Sequence, residues 1–479
     1  MKKRWKYMAL SLIMLISVAG CGYNKANDME IITENTKYVR ATRGEVIENY
    51  SLSFDIIGGS DVMPIGSWWG PYVHDGESIN GVTLPNYYDD YFFELAKNSG
   101  INVFTVNPNI YASYVQETIE LLKKCEEYNI GIFVNDARLR DSSDNAISKI
   151  RERVSEYYMY DSCLGVHMTD EPLANRFDDI AKIYRAYDEL GIDNKYLYTN
   201  MLGASNSTNY NYSGDTSLMN YEEYLNLYLE KVQPKFLSYD HYLFKKQNDS
   251  IMNSAYFTSL SIVREFANAN KIPFWVFVQA GGQHEEYEIE TKPVFPNEAE
   301  MLWNVNTSLA YGAKSIQYFT FLQPKQFTYA LNGERDYTRN GMVGAMGNIN
   351  EWYYYAQKAN KQIAAIDHVL MNAASMGIIK GGVAANTCII GSEVIESGQF
   401  RELIGVEASD YIIGCFDYFG ETALYVVNNS VTEKNDIKLI FSDKYGYDII
   451  QRAEKFSVAG KTITLTMEKG EGVLITLKY

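Results

Sequence analysis

Between residues 60 and 330 one pattern repeats eight times, and it leaves the chain few architectures. A short apolar run is followed by a polar loop and then by a segment of helical period. The runs are 62–66, 101–106, 130–135, 164–169, 196–201, 236–239, 273–278 and 315–319. They are continuous rather than alternating, as in parallel strands covered on both faces. Between them, Val115, Ile119 and Leu122 follow i, i+4, i+7 spacing, with Glu117, Glu120, Lys123 and Lys124 turned outward. A later helix is expected over 296–312, with Pro296 in its first turn and Gly312 at its C-cap. Eight such units in this length favour a closed (β/α)8 barrel. A doubly wound sheet is the alternative, but no GxGxxG or Walker sequence follows any run, which removes the usual nucleotide reason for one.

After about residue 375 the texture changes. Residues 462–467 alternate strictly, and 423–427, 437–441 and 473–477 are short β-rich runs. Asn428-Asn429, Tyr445-Gly446, Ala459-Gly460 and Gly470-Glu471-Gly472 punctuate them. This predicts a small C-terminal antiparallel β-sandwich, reached through a long helix over about 350–370. The expected organisation is a leader over 1–20, a tether and N-terminal segment over 21–58, the barrel over 59–372 and the sandwich over 373–479.

The leader has a basic start (Lys2, Lys3, Arg4, Lys6) and an apolar stretch, 8–18, too short to span a bilayer. It ends in Val18-Ala19-Gly20-Cys21, which resembles a bacterial lipobox. That resemblance implies cleavage before Cys21, lipidation of Cys21, and a mature chain anchored outside the cell membrane by lipid alone. The plain alternative is an ordinary secretory signal with a chance cysteine. Cys125, Cys163, Cys388 and Cys415 form no CxxC pair and read as buried thiols; one disulfide is permitted in this compartment, without a pairing.

The formal net charge of −17 repels nucleic acid and anionic lipid and suits a neutral ligand. Forty tyrosines, in a chain that is 14% aromatic, suit ring-stacking, hydroxyl-rich ligands such as sugars, although tyrosine also fills cores and surfaces. The five histidines show no HExxH or paired spacing, so neither metal nor cofactor is expected. No GxSxG elbow is present.

In a barrel of this kind the loops after the strands converge on one rim and carry the chemistry. In chain order that rim would collect Trp68 and Trp69, Asn107, Asn135 and Asp136, Asp170 and Glu171, and Asn200. Tyr239, Asp240, His241 and Tyr242 follow, then Trp275 and Gln279, and finally Gln317, Tyr318 and Thr320. Paired carboxylates supply the acid and the base or nucleophile of glycosidic cleavage; amides bind sugar hydroxyls and rings form the floor. Glu171 is the expected proton donor. Asp170 and Glu171, followed by Pro172, also fit a plain helix cap.

Gly165-Val166-His167-Met168-Thr169-Asp170-Glu171-Pro172 resembles the strand-four signature of clan A glycoside hydrolases, in which an Asn-Glu pair places the acid/base glutamate. The passage 310–319, AYGAKSIQYF, is similar to the entry into strand eight of β-galactosidase-like barrels. The resemblance implies the barrel, the trailing sandwich and glycoside hydrolysis with Glu171 as acid/base. There are two departures. Asp170 replaces the asparagine that contacts the sugar 2-hydroxyl, and Gln279 stands where the clan has its nucleophilic glutamate. The second carboxylate must then come from elsewhere: Asp240 first, Glu285 or Glu286 on the loop after Gly281-Gly282 next, Asp136 and Asp170 last. Three readings are carried forward: a hydrolase of neutral oligo- or polysaccharide, a non-catalytic carbohydrate-binding lipoprotein on a degenerate barrel, and a scaffold whose acids only cap helices.

Overall fold

A computed structural model describes residues 48–478, apart from 74–77, 80, 106–113, 206–209, 245–253, 283–293, 324–329, 332–333, 336, 388–393 and 396–397. The leader, Cys21, Asn107, Glu285, Glu286 and Cys388 therefore lie outside the described residues.

Eight parallel strands close into a barrel: β1 (Ile65–Ser67), β2 (Val103–Phe104), β3 (Gly131–Val134), β4 (Cys163–Asp170), β5 (Tyr196–Met201), β6 (Leu237–Tyr239), β7 (Phe274–Gln279) and β8 (Ile316–Phe319). β1 pairs with both β2 and β8, so no edge is left open. Each strand overlaps one of the eight apolar runs. The first is displaced to Ile65–Ser67, and Pro64, just before it, has no N–H to give a ladder. The helices are α1 (Asp90–Ser99), α2 (Val115–Tyr128), the short α3 (Asp144–Ile147) and α4 (Ile150–Val154), α5 (Phe177–Asp188), α6 (Tyr221–Val232), α7 (Ser254–Asn270), α8 (Glu298–Ala310) and α9 (Glu351–Leu370). Helix α8 begins on a capping box of Asn297 and Glu300, which puts Pro296 one residue before the cap rather than in the first turn; Gly312, at φ 93°, follows the last turn.

Strand alternation sorts side chains into two cores. Ile65, Phe104, Val134, Val166, Val276 and Ile316 face the helical shell. Trp68, Val103, Phe133, Leu164, Tyr198, Phe236, Trp275 and Phe277 fill the barrel, and Leu52 and Phe54 plug its N-terminal end. Phe54 meets Tyr196 and Trp275 edge-on at 5.5 and 6.2 Å, and Glu48 pairs with Lys271 at the same end.

One glycine in β4 is dictated by space as well as by φ. Gly165 has φ 147°, and a Cβ there would lie 1.8 Å from the Tyr196 carbonyl oxygen. Gly165→Ala should therefore force β4 from β5 and cost more than about 4 kcal/mol. Thermal melting checks this, and a melt like that of the parent would refute it.

The C-terminal domain joins seven antiparallel strands: β9 (Ala373–Gly382), β10 (Leu403–Glu407), β11 (Asp410–Tyr418), β12 (Glu421–Asn428), β13 (Asn435–Gln451), β14 (Glu454–Met467) and β15 (Gly472–Lys478). The long β13 pairs with β10 through its first half, with β15 through its second and with β14 throughout. One hydrogen-bonded sheet thus supplies the expected sandwich. Trp303 Nε1 of α8 donates to Asn429 Oδ1 at 3.0 Å, and buried Arg264 of α7 donates to the hydroxyl and carbonyl of Ser375, so this domain is fastened to the barrel's shell. Cys125, Cys163 and Cys415 are buried free thiols.

Candidate active site

The C-terminal ends of β4 and β6 bring three carboxylates together. β4 is the longest barrel strand, and its pairing with β5 slips by one residue between His167 and Thr169. The strand still reaches Asp170, and the Glu171 N–H donates to the Asn200 carbonyl at 2.8 Å. Glu171 then takes φ 45°, a left-handed backbone that costs a glutamate about 1 kcal/mol or more and persists only where the surroundings impose it. The chain turns there, and both Asp170 and Glu171 stay accessible at the mouth.

Tyr242 marks where they meet. Its hydroxyl is hydrogen-bonded to Asp240, and burial, followed by the charges of Asp240, Asp170 and Glu171, pushes its pKa well above the ordinary value. Its ring lies 5.2 Å from that of half-buried Phe319. Asp170 opens to the mouth on one side and is enclosed on the others. Burial first, then the neighbouring Glu171 charge, raises it to about 7, against the hydrogen bond from Asn200. A carboxyl that holds its proton near neutrality beside another acid is the condition acid/base catalysis needs.

Below the mouth the barrel interior is polar. Tyr198 Oη donates to Gln317 Oε1 (2.8 Å), and Gln317 Nε2 donates to Ser238 Oγ (3.0 Å). Ser238 Oγ donates in turn to Asn200 Oδ1 (3.0 Å), and Asn200 Nδ2 to Asp170 Oδ1 (3.2 Å). His167 lies between the rings of Trp68 and Tyr198, with neither ring nitrogen hydrogen-bonded. Burial, with the nearby Arg140 charge, lowers it to about 3, so the imidazole is neutral.

No family model and no curated protein matches the sequence. Among solved structures, a β-galactosidase from Bacillus circulans sp. alkalophilus superposes with a TM-score of 0.51, at 8% identity, over 87% of this chain and 99% of that one. The two share the fold of a (β/α)8 barrel followed by an antiparallel β domain. An α-amylase from Geobacillus thermoleovorans, complexed with acarbose, gives a TM-score of 0.46 at 9% identity, over 88% of this chain and 99% of that one. At such identities the likeness is one of fold.

Several expected rim residues of this barrel are engaged elsewhere. Gln279 is 1% exposed, and its amide is spent on backbone. Its Nε2 donates to the carbonyls of Phe244 (2.8 Å), Gly281 (3.1 Å) and Val294 (3.3 Å), and its Oε1 accepts from the Phe244 N–H (3.1 Å). It staples the segments after β6 and β7 together rather than facing a sugar. Trp275 is the second residue of β7, so it packs on Phe236 and Phe54 at the opposite pole from the mouth. Tyr318 points outward and donates to Asn360 of α9 at 2.7 Å. Tyr239 also faces the helical shell, near Tyr256 and Tyr311, and its hydroxyl has no hydrogen-bond partner among the described residues. His241 turns to α7, with Nδ1 3.0 Å from Ser259 Oγ. These three follow from strand alternation: neighbours of inward residues face out.

Asp136 caps a short turn. It accepts from the Arg138 backbone N–H (2.8 Å), pairs with the Arg138 guanidinium (2.6 Å) and accepts from Tyr157 (2.8 Å). Burial alone would raise its pKa, but the Arg138 and Tyr157 bonds hold it below the usual value. It is a structural anion. Asn200 is buried in the polar chain and reaches the mouth only through Asp170. Trp68 sits on His167 and Phe277 inside the barrel, while Trp69, at φ 58°, is half-buried beside Tyr72, with Nε1 unpartnered among the described residues.

Phe319 was not among the expected rim residues, and Tyr242 was placed on the rim without a role. The signal for Tyr242 was present, since it stands two residues past Asp240 and so shares its side. A cavity of about 750 Å³ is lined by α8, α9 and the C-terminal domain, away from the carboxylates, and its Arg452, Glu471 and Gln362 are paired with one another or with backbone. A second, of about 440 Å³, lies beside the end of β4 and is lined by Arg140, Ser142, Thr169 and Arg176. Among the described residues no His, Cys, Asp and Glu cluster could hold a metal ion, and no helix is long and apolar enough to cross a membrane.

Proposed function

We propose that the protein is a glycoside hydrolase that acts on a neutral oligo- or polysaccharide, with Glu171 as the proton donor. The observation that carries this reading is the convergence of Asp170, Glu171 and Asp240 around Tyr242 at the C-terminal mouth of the barrel. Glu171 protonates the glycosidic oxygen as the bond to the anomeric carbon breaks. Asp240, held by the Tyr242 hydroxyl, is the partner carboxylate, as base toward water or as nucleophile. Asp170, with one oxygen tied to Asn200, accepts a sugar hydroxyl. Trp69 and Phe319 offer rings at the mouth. The lipobox-like leader supports a place outside the cell membrane, held by lipid at Cys21, with no nucleic-acid partner.

The test is incubation of the purified chain with a panel of neutral glycans, reading released sugar and its anomeric form. A glutamate–aspartate separation of about 5–5.5 Å predicts retention and about 6.5–9.5 Å inversion. If nothing in the panel is cleaved, hydrolysis is wrong. The second reading, a non-catalytic carbohydrate-binding lipoprotein, is favoured by one feature: Gln279 is committed to holding two loops, at a strand end where a carboxylate was expected. Binding without release would establish it, and neither binding nor release would leave only a scaffold.

A further inference from the structure

We infer that Gln317, on the strand that faces β4 across the barrel, is a positioning residue for the Asp170 carboxylate and acts on it through Ser238 and Asn200. The inference rests on the proposed function, which places Asp170 in a sugar-binding mouth.

The argument is one of proton counting. Gln317 sits on β8, four strands from β4 in either direction around the closed barrel. Its amide has fixed polarity: the oxygen takes the Tyr198 proton and the nitrogen gives one to Ser238. Ser238 Oγ also lies 2.9 Å from the Tyr198 hydroxyl, but Tyr198 spends its proton on Gln317 and Ser238 already accepts from Gln317, so the single Ser238 proton goes to the amide oxygen of Asn200. The amide of Asn200 is thereby oriented, and only its nitrogen can face Asp170. Turned over, Asn200 would set a carbonyl oxygen against a carboxylate oxygen.

Water cannot take over any of these links. Tyr198 and Gln317 are 0% exposed, Ser238 1% and Asn200 2%. An apolar layer would fill the same space without needing every partner to be satisfied. The chain of bonds therefore does something packing does not: it fixes which oxygen of Asp170 is tied and which is left for a ligand or for Glu171.

Two variants test it. In Gln317→Met the chain loses both its acceptor for Tyr198 and its donor to Ser238, and those two hydroxyls, 2.9 Å apart, are left with either as donor, so the Ser238 proton is no longer committed to Asn200. In Gln317→Glu the outcome depends on pH. A protonated Glu side chain accepts from Tyr198 and donates to Ser238, as glutamine does. An ionised one accepts from both, draws the Ser238 proton to itself and releases Asn200. The readout is the carboxyl resonance of Asp170 in protein labelled with ¹³C at aspartate side chains, assigned through Asp170→Asn, with folding checked by circular dichroism.

The expected result is an upward displacement of the Asp170 titration by about one pH unit in Gln317→Met, because the Asn200 donor that favours the ionised form is lost. Gln317→Glu should match the parent at low pH and depart from it as the new glutamate ionises. On any glycan the parent cleaves, the pH profile of kcat should move in the same sense. An unmoved Asp170 titration in folded Gln317→Met and Gln317→Glu overturns the inference. If Gln317→Met does not fold, Gln317→Glu decides alone. The resonance needs no substrate, so a parent inert on every glycan counts against the proposed function, and a parent active with an Asp170 titration indifferent to residue 317 counts against this inference only.

Discussion

Glu171→Gln is expected to remove hydrolysis while leaving the fold intact, with kcat falling about 10²–10⁴-fold and KM little changed. The reason is local. Residue 171 is held by its backbone, through the N–H to the Asn200 carbonyl and a turn at φ 45°, so an amide side chain can occupy the same place. What it cannot do is give a proton to the departing oxygen. The loss should then depend on the leaving group. An aryl glycoside whose phenolate departs without protonation should recover much of the rate for the bond-breaking step, whereas an alkyl glycoside should not. Steady-state rates on the two substrates, parent against variant, read this directly. Equal rates for parent and variant on both would remove Glu171 from the mechanism and turn attention to Asp170, whose proton is retained toward neutral pH.

Gln279→Glu is expected to be the more damaging substitution for stability and to bring no activity with it. The position invites the change, since a carboxylate there would complete an expected pair. The surroundings forbid it: the nitrogen of Gln279 donates to the carbonyls of Phe244, Gly281 and Val294, and the side chain is 1% exposed. A glutamate would set a second oxygen against three carbonyl oxygens in a dry site. It must then either bury an unpaired charge or take up a proton that satisfies only one of the three. A penalty of about 3–5 kcal/mol follows, and it should grow as pH rises through the new carboxyl's raised pKa. Thermal melts at pH 5 and pH 8 test this. A variant as stable as the parent at both, or one with enhanced hydrolysis, would show that the two loops do not need the amide.

These two positions also show what could be read from the sequence. The eight strands were legible because buried parallel strands leave continuous apolar runs, and Tyr196–Met201 was placed to the residue. Asp170 and Glu171 were legible because polar residues at a strand end stand out against such a run. The inward or outward sense of the rim was not. Tyr239, Tyr318 and His241 were grouped with Asp240 and Gln317 by nearness in sequence, yet alternation sends the first three to the helices and the last two to the interior. The role of Gln279 was also hidden, because the groups that occupy its amide lie on two separate loops. Cys415 and Cys163 behaved as expected of apolar fillers.

The plug of Leu52 and Phe54, with Glu48 salt-bridged to Lys271, has a directional consequence. The first described residues, 48–54, lie at the pole opposite the acids. With that pole closed by packed side chains, a ligand would reach the acids only from the other end of the barrel.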